Sequence, residues 1–249
     1  MNFLRPRIIT VLLLLTSATA GLAVHALSAA PAGTGALGTD VSSKPAYLIY
    51  IRAKTDNLGG YESYSAKVPG TYEGRTYRAL VLNGVMTTLE GSLPDGVVVV
   101  QFPSVQAAKA QYYSAEYQAI AGERQRAAQG TMFIVEGLPD GTRAADVSST
   151  PAYLIGVREK TNNLGGYESY SAKVPSTYEG RNYRALVLSG AMTRLEGSLP
   201  DGVVVVQFPS IEAAKAQYYS AEYQAIAGER QRAAQGSMFI VDGVPASTD

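Results

Sequence analysis

The chain has 249 residues, with 21 basic and 21 acidic side chains, a formal net charge of zero, no cysteine, no tryptophan and one histidine. Its 46% apolar content suffices for a packed core, in one large domain or two of ordinary size. Without cysteine there are no disulfides, thiolate zinc sites, iron–sulfur clusters or cysteine nucleophiles, and balanced charge gives no basic excess for nucleic acid or an anionic membrane.

Residues 1–26 read as an export signal. Arg5 and Arg7 form a positive start, Ile8 to Leu15 a short apolar stretch, and Ala18-Thr19-Ala20 a small-x-small pattern for cleavage near residue 20. Val24-His25-Ala26 offers a second cleavage point near residue 26. Left uncleaved, the segment would be an N-terminal membrane anchor. Removal of residues 1–26 takes away both arginines and His25, leaving a net charge of −2 and no imidazole. That excludes a Ser-His-Asp triad and histidine-ligated metal or haem, so neither a metal nor a cofactor is expected. Residues 27–39 are small and polar and read as a flexible tether to an exported, periplasmic or secreted protein.

Residues 40–139 then align with residues 146–245 at a constant offset of 106, with about 15 mismatches over 100 positions. Tyr50/Gly156, Ala53/Glu159, Asn83/Ser189 and Thr88/Arg194 are among them. Two closely tethered domains follow, with a linker at 140–145 and a tail at 246–249.

Within one copy, Ala46 to Ile51 is rich in aromatic and β-branched residues and predicts a strand. Asn57 to Tyr72 opens on a Gly59-Gly60 turn and continues as a helix on Tyr61, Tyr64 and Val68; Pro69 stops or bends it near Lys67. Tyr77 to Leu89 predicts a second strand, with a bulge at Asn83-Gly84. Val97 to Phe102 is a third strand. Ser104 caps a helix through Tyr112, Ser114 caps another over Ala115 to Gln129, Gly130 ends it, and Met132 to Val135 is the fourth strand. The order βαββαβ is the ferredoxin-like arrangement of an α+β fold.

These strands are apolar on both faces: Tyr47, Ile49 and Ile51 against Ala46, Leu48 and Tyr50; Val97 and Val99 against Val98 and Val100. Two helices cover only one face of a sheet. The other face needs a second layer, so the sheets of the two copies are expected to stack face to face as an intrachain pseudo-dimeric α+β barrel.

Pro45-Ala46-Tyr47-Leu48-Ile49, Gln101-Phe102-Pro103-Ser104, Tyr113-Ser114-Ala115-Glu116-Tyr117 and Arg124-Gln125-Arg126-Ala127-Ala128 are repeated in the second copy, and Val135-Glu136-Gly137 returns there as Val241-Asp242-Gly243. Together they resemble the family called domain of unknown function 1330. The resemblance implies a ferredoxin-like dimeric α+β barrel and no established reaction. Leu82 and Leu188 stand where the family usually has arginine, Leu93 and Leu199 where tryptophan is common, and Ala115 and Ala221 where proline is common. A family pocket built on that arginine or tryptophan would be altered here.

Candidate ligand-binding residues are Tyr47, Tyr61, Tyr64 and Tyr112 of the first copy, with Tyr153, Tyr167, Tyr170 and Tyr218 of the second. Tyrosines supply aromatic walls and orienting hydroxyls, and they equally suit half-buried packing of helix on sheet. Arg78 and Glu90, with Arg184 and Glu196, form charged pairs on the bulged strands, suited to a polar ligand, to proton transfer or to edge protection. Glu123, Arg124 and Arg126 read as a solvated helix end. No dinucleotide, P-loop or calcium-loop pattern is present, and Ser114 has no adjacent base. The expected protein is a non-catalytic small-molecule-binding or scaffold module. The alternative is a cofactor-independent enzyme, an isomerase or monooxygenase, using tyrosine, arginine and glutamate.

Overall fold

The computed structural model describes residues 44–139 and 150–245; the expected signal, tether, linker and tail lie outside them. Each half opens on a long strand, β1 (Ala46–Thr55) and its counterpart β6 (Ala152–Thr161). Asn57 caps α1 (Leu58–Lys67) by accepting from Gly60 N at 3.0 Å, so Gly59 and Gly60 belong to the helix rather than to a preceding turn. Pro69 ends α1 as expected, inside a 3₁₀ turn over Val68–Tyr72.

The expected bulged strand is instead two strands, β2 (Arg78–Leu82) and β3 (Met86–Glu90). β4 (Gly96–Phe102), α2 (Val105–Tyr112), α3 (Ala115–Ala127) and β5 (Ala128–Glu136) follow, with Ser104 and Ser114 capping α2 and α3 as read from sequence. Gly130 does not end α3. It lies within β5, where a Cβ would come within 2.3 Å of the Ile51 carbonyl. The second half repeats the pattern: α4 (Leu164–Lys173), β7 (Arg184–Leu188), β8 (Met192–Glu196), β9 (Gly202–Phe208), α5 (Ile211–Tyr218), α6 (Ala221–Ala233) and β10 (Ala234–Asp242).

The two sheets have strand orders β2-β4-β1-β5-β8 and β3-β10-β6-β9-β7. Each copy therefore gives one strand to the other copy's sheet. Asn83 and Ser189, at φ 53° and 52°, turn the chain out of one sheet and toward the other. Gly84 then passes so close to the end of β10 that a Cβ would lie 2.2 Å from the Asp242 carbonyl; Gly190 meets Glu136 in the same way at 2.1 Å. A bulge and a crossover share the Asn-Gly signature, which is why sequence alone suggested the former.

Both faces of each sheet are buried, as their apolarity required. Between the sheets, Tyr47, Ile49, Val97, Val99, Phe133 and Val135 pack against Tyr153, Ile155, Val203, Val205, Phe239 and Val241. On the outer faces, Leu48, Tyr50, Val100 and Ile134 meet the helices of the first half, and Leu154, Val206 and Ile240 those of the second. Full burial of each such side chain contributes about 1.5–3 kcal/mol. Main-chain bonds from Leu138 N to Leu186 O and from Val244 N to Leu80 O tie the halves further.

Candidate functional site

The strand exchange separates the candidate residues into two places. Tyr47 and Tyr153 point between the sheets and are fully buried there. Burial raises the Tyr153 phenol to about 12, with Arg78 and Arg184 pulling it the other way. Arg78 and Arg184 share the register, and so the face, of Tyr47 and Tyr153, whereas the remaining tyrosines, Glu90 and Glu196 lie between sheet and helices. Arg78 and Glu90 do not pair, because β2 stays in the first sheet while β3 carries Glu90 into the second. Arg184 and Glu196 are parted in the same manner by β7 and β8.

Glu90 instead meets the second half's helices. Arg230 Nη2 donates to both of its carboxylate oxygens, and Tyr218 donates its hydroxyl to Glu90 Oε1 at 2.7 Å. In the first half, Arg124 Nη2 donates to Glu196 Oε1 at 2.5 Å and Tyr112 to the same oxygen at 2.7 Å. Each cluster is thus assembled from both copies. Arg124 was read as part of a solvated helix end; it is a buried side chain, because it continues the apolar face of Tyr117 and Ala121. Glu123 does lie at the surface, paired with Lys67 at 2.7 Å.

The electrostatics follow from the pairing. Burial pushes the Glu90 carboxyl up, but hydrogen bonds from Arg230 and Tyr218 outweigh it and leave Glu90 below the usual carboxylate range. Glu196 is lowered likewise against Arg124 and Tyr112. Burial and the neighbouring carboxylate raise the Tyr218 and Tyr112 phenols. At neutral pH the clusters therefore hold ionised glutamate, cationic arginine and neutral tyrosine.

Around these similar clusters the two halves differ. A cavity of about 490 Å³ opens between the second sheet and its helices, walled by Leu154, Val204, Val206 and Met238 on one side and Tyr167, Tyr170, Tyr178 and Tyr223 on the other. Tyr218 and Arg230 give it a polar end. Gly156 forms part of its floor; the equivalent residue, Tyr50, fills the matching place of the first half, only 2% exposed. The guanidinium carbon of Arg124 lies 4.8 Å from the Tyr50 ring centre. Arg124 is 2% exposed, whereas Arg230, facing the space that a tyrosine at 156 would occupy, is 14% exposed. Tyr61 is buried beneath Arg52, whereas Tyr167, beneath Arg158, is only half-buried.

Tyr167, Tyr170 and Tyr218 of the expected residues therefore share one cavity, with Glu90 behind them, whereas Tyr61, Tyr64, Tyr112 and Glu196 belong to the filled half. Gly156 and Arg230 were missed. Gly156 was visible as a mismatch with Tyr50, and Arg230 as a cation on the apolar face of its helix.

The family model described as "Domain of unknown function (DUF1330)" matches residues 45–138 and again residues 151–244. The chain belongs to that family. No curated protein matches this tandem DUF1330 chain by sequence. Among solved structures, an anthrone oxidase-like protein shares 12% identity over 82% of this chain and 94% of its own, with a TM-score of 0.47. A candidate monooxygenase from Lactobacillus acidophilus NCFM shares 14% over 81% and 94%, with a TM-score of 0.44. A mutant chlorite dismutase from Candidatus Nitrospira defluvii shares 10% over 80% and 92%, with a TM-score of 0.48.

Proposed function

We propose that this DUF1330 protein binds a small, largely apolar molecule in the cavity of its second half, with Arg230 and Tyr218 holding the ligand's polar group. The cavity of about 490 Å³ carries this reading: its size lies within the range of small-molecule sites, and its walls are apolar with a few convergent polar groups. Glu90 fixes Arg230 and accepts the Tyr218 hydroxyl hydrogen, which leaves the phenol oxygen free to accept, so the polar end is preset before a ligand arrives. The N-terminal sequence supports a site working outside the cytoplasm, which the mass of the processed chain tests.

Native mass spectrometry of the protein purified from its own host tests the binding. The expected result is one retained small molecule per chain, released on denaturation. Repeated preparations of bare chain that take up no apolar compound would overturn it.

A second reading is a cofactor-independent enzyme of the isomerase or monooxygenase type. Its support is the Arg230 guanidinium bordering an apolar cavity, where negative charge developing on a substrate oxygen would be stabilised. The oxidase and monooxygenase names of the neighbouring structures fit that reading. A carboxylate held below its usual range is a weak base at neutral pH, which favours binding over proton abstraction by Glu90. Oxygen uptake in the presence of a phenolic substrate, lost in Arg230→Met, would reverse that preference.

A further inference from the structure

Gly156 and Tyr50 occupy the same register in their sheets. Tyr50 pairs with Val98 and Met132, and Gly156 with Val204 and Met238. Gly130, whose hypothetical Cβ would touch the Tyr50 ring at 2.8 Å, corresponds to Gly236, which lines the cavity. The Tyr50 ring thus stands where the cavity of the second half lies, beside the same arginine on the same helix. A chain with two nearly identical halves displays, in one of them, an occupant for the space left empty in the other.

We infer that the second-half cavity takes a planar aromatic ring seated beside the Arg230 guanidinium, and that Tyr50 is its built-in counterpart, closing the first half so that each chain has one site. This rests on the binding reading above and adds the ligand's chemical class. A guanidinium beside an aromatic face is attracted by the ring quadrupole, and more strongly where water is excluded. A saturated ring of the same size gains burial in the cavity but not that attraction. The cavity is wider than one phenol ring, so a fused-ring phenol has room to extend among Tyr167, Tyr170 and Tyr178.

Isothermal titration of the full chain with 1-naphthol, and with decahydro-1-naphthol as a saturated analogue of the same skeleton, tests this. The wild type should bind one 1-naphthol and hold the saturated analogue about tenfold more weakly. Gly156→Tyr should abolish binding of both; it should fold, because the matching surroundings in the first half accept tyrosine. Tyr50→Gly should raise the stoichiometry to two. Equal affinity for the two probes, with both lost in Gly156→Tyr, would overturn the aromatic assignment and leave the binding reading standing. No uptake of either probe by any of the proteins would overturn both. A Tyr50→Gly chain that folds by circular dichroism yet still binds one 1-naphthol would refute Tyr50 as counterpart. If that variant does not fold, Gly156→Tyr and the saturated probe decide the outcome.

Discussion

Arg124 and Arg230 sit at equivalent positions of equivalent helices, yet their surroundings set them apart. Arg124 is sealed under Tyr50, whereas Arg230 borders a cavity that admits water. Removing one partner of a buried ion pair strands the other, at a cost of about 3–5 kcal/mol. Arg124→Ala should therefore cost about 3 kcal/mol in urea unfolding, and Arg230→Ala clearly less, since Arg230 is the more exposed arginine and borders the cavity while the two glutamates are equally covered. The carboxylates also govern acid stability. Because pairing lowers Glu90 and Glu196 below their unfolded values, their contribution is present above about pH 4.3 and lost as pH falls through the folded values. Thermal unfolding followed from about pH 6 down to about pH 3 should show that loss. Glu90→Gln combined with Glu196→Gln should flatten it. Arg124 was legible in principle, one turn beyond Ala121 and two beyond Tyr117. What hid its role was distance: its glutamate lies 72 residues further along the chain, in the other repeat.

At the scale of elements, strand patterning was the more readable part. Apolar residues on both faces of β1, β4 and β5 required two covering layers, and sheet stacking supplied the second. The exchange of β3 and β8 was not legible, because the pattern of a strand does not name the sheet it joins. The crossover makes two opposite predictions. Gly84→Ala places a methyl against the Asp242 carbonyl, so it should destabilise by about 2 kcal/mol or more and loosen β3 from β10. Ser189 holds a left-handed conformation that asparagine tolerates better. Ser189→Asn, which copies Asn83, should stabilise by roughly 0.5 kcal/mol. Denaturant midpoints check both, and amide exchange in β3 reports the loosening.

At the scale of the molecule, neither half completes its own sheet. Residues 44–139 expressed alone should therefore dimerise, each copy giving its β3 to the other. Light scattering should find twice the single-repeat mass, with dissociation on dilution, while the full chain stays monomeric in this respect at every concentration. A monomeric, fully folded single repeat would show that β3 can return to its own sheet. The tandem architecture was plain in the sequence. The cavity of the second half was not, because it depends on one mismatch whose meaning comes from the rings and helices around it.

Fusion of the two copies also changes what mutation can do. In an assembly of two identical chains, every substitution is made twice, and a residue that shuts one pocket shuts its mate. Here positions 50 and 156 are inherited independently. One half is free to harden into a permanently closed support that still lends Glu90 across the boundary, while the other is free to reshape its walls around a new occupant.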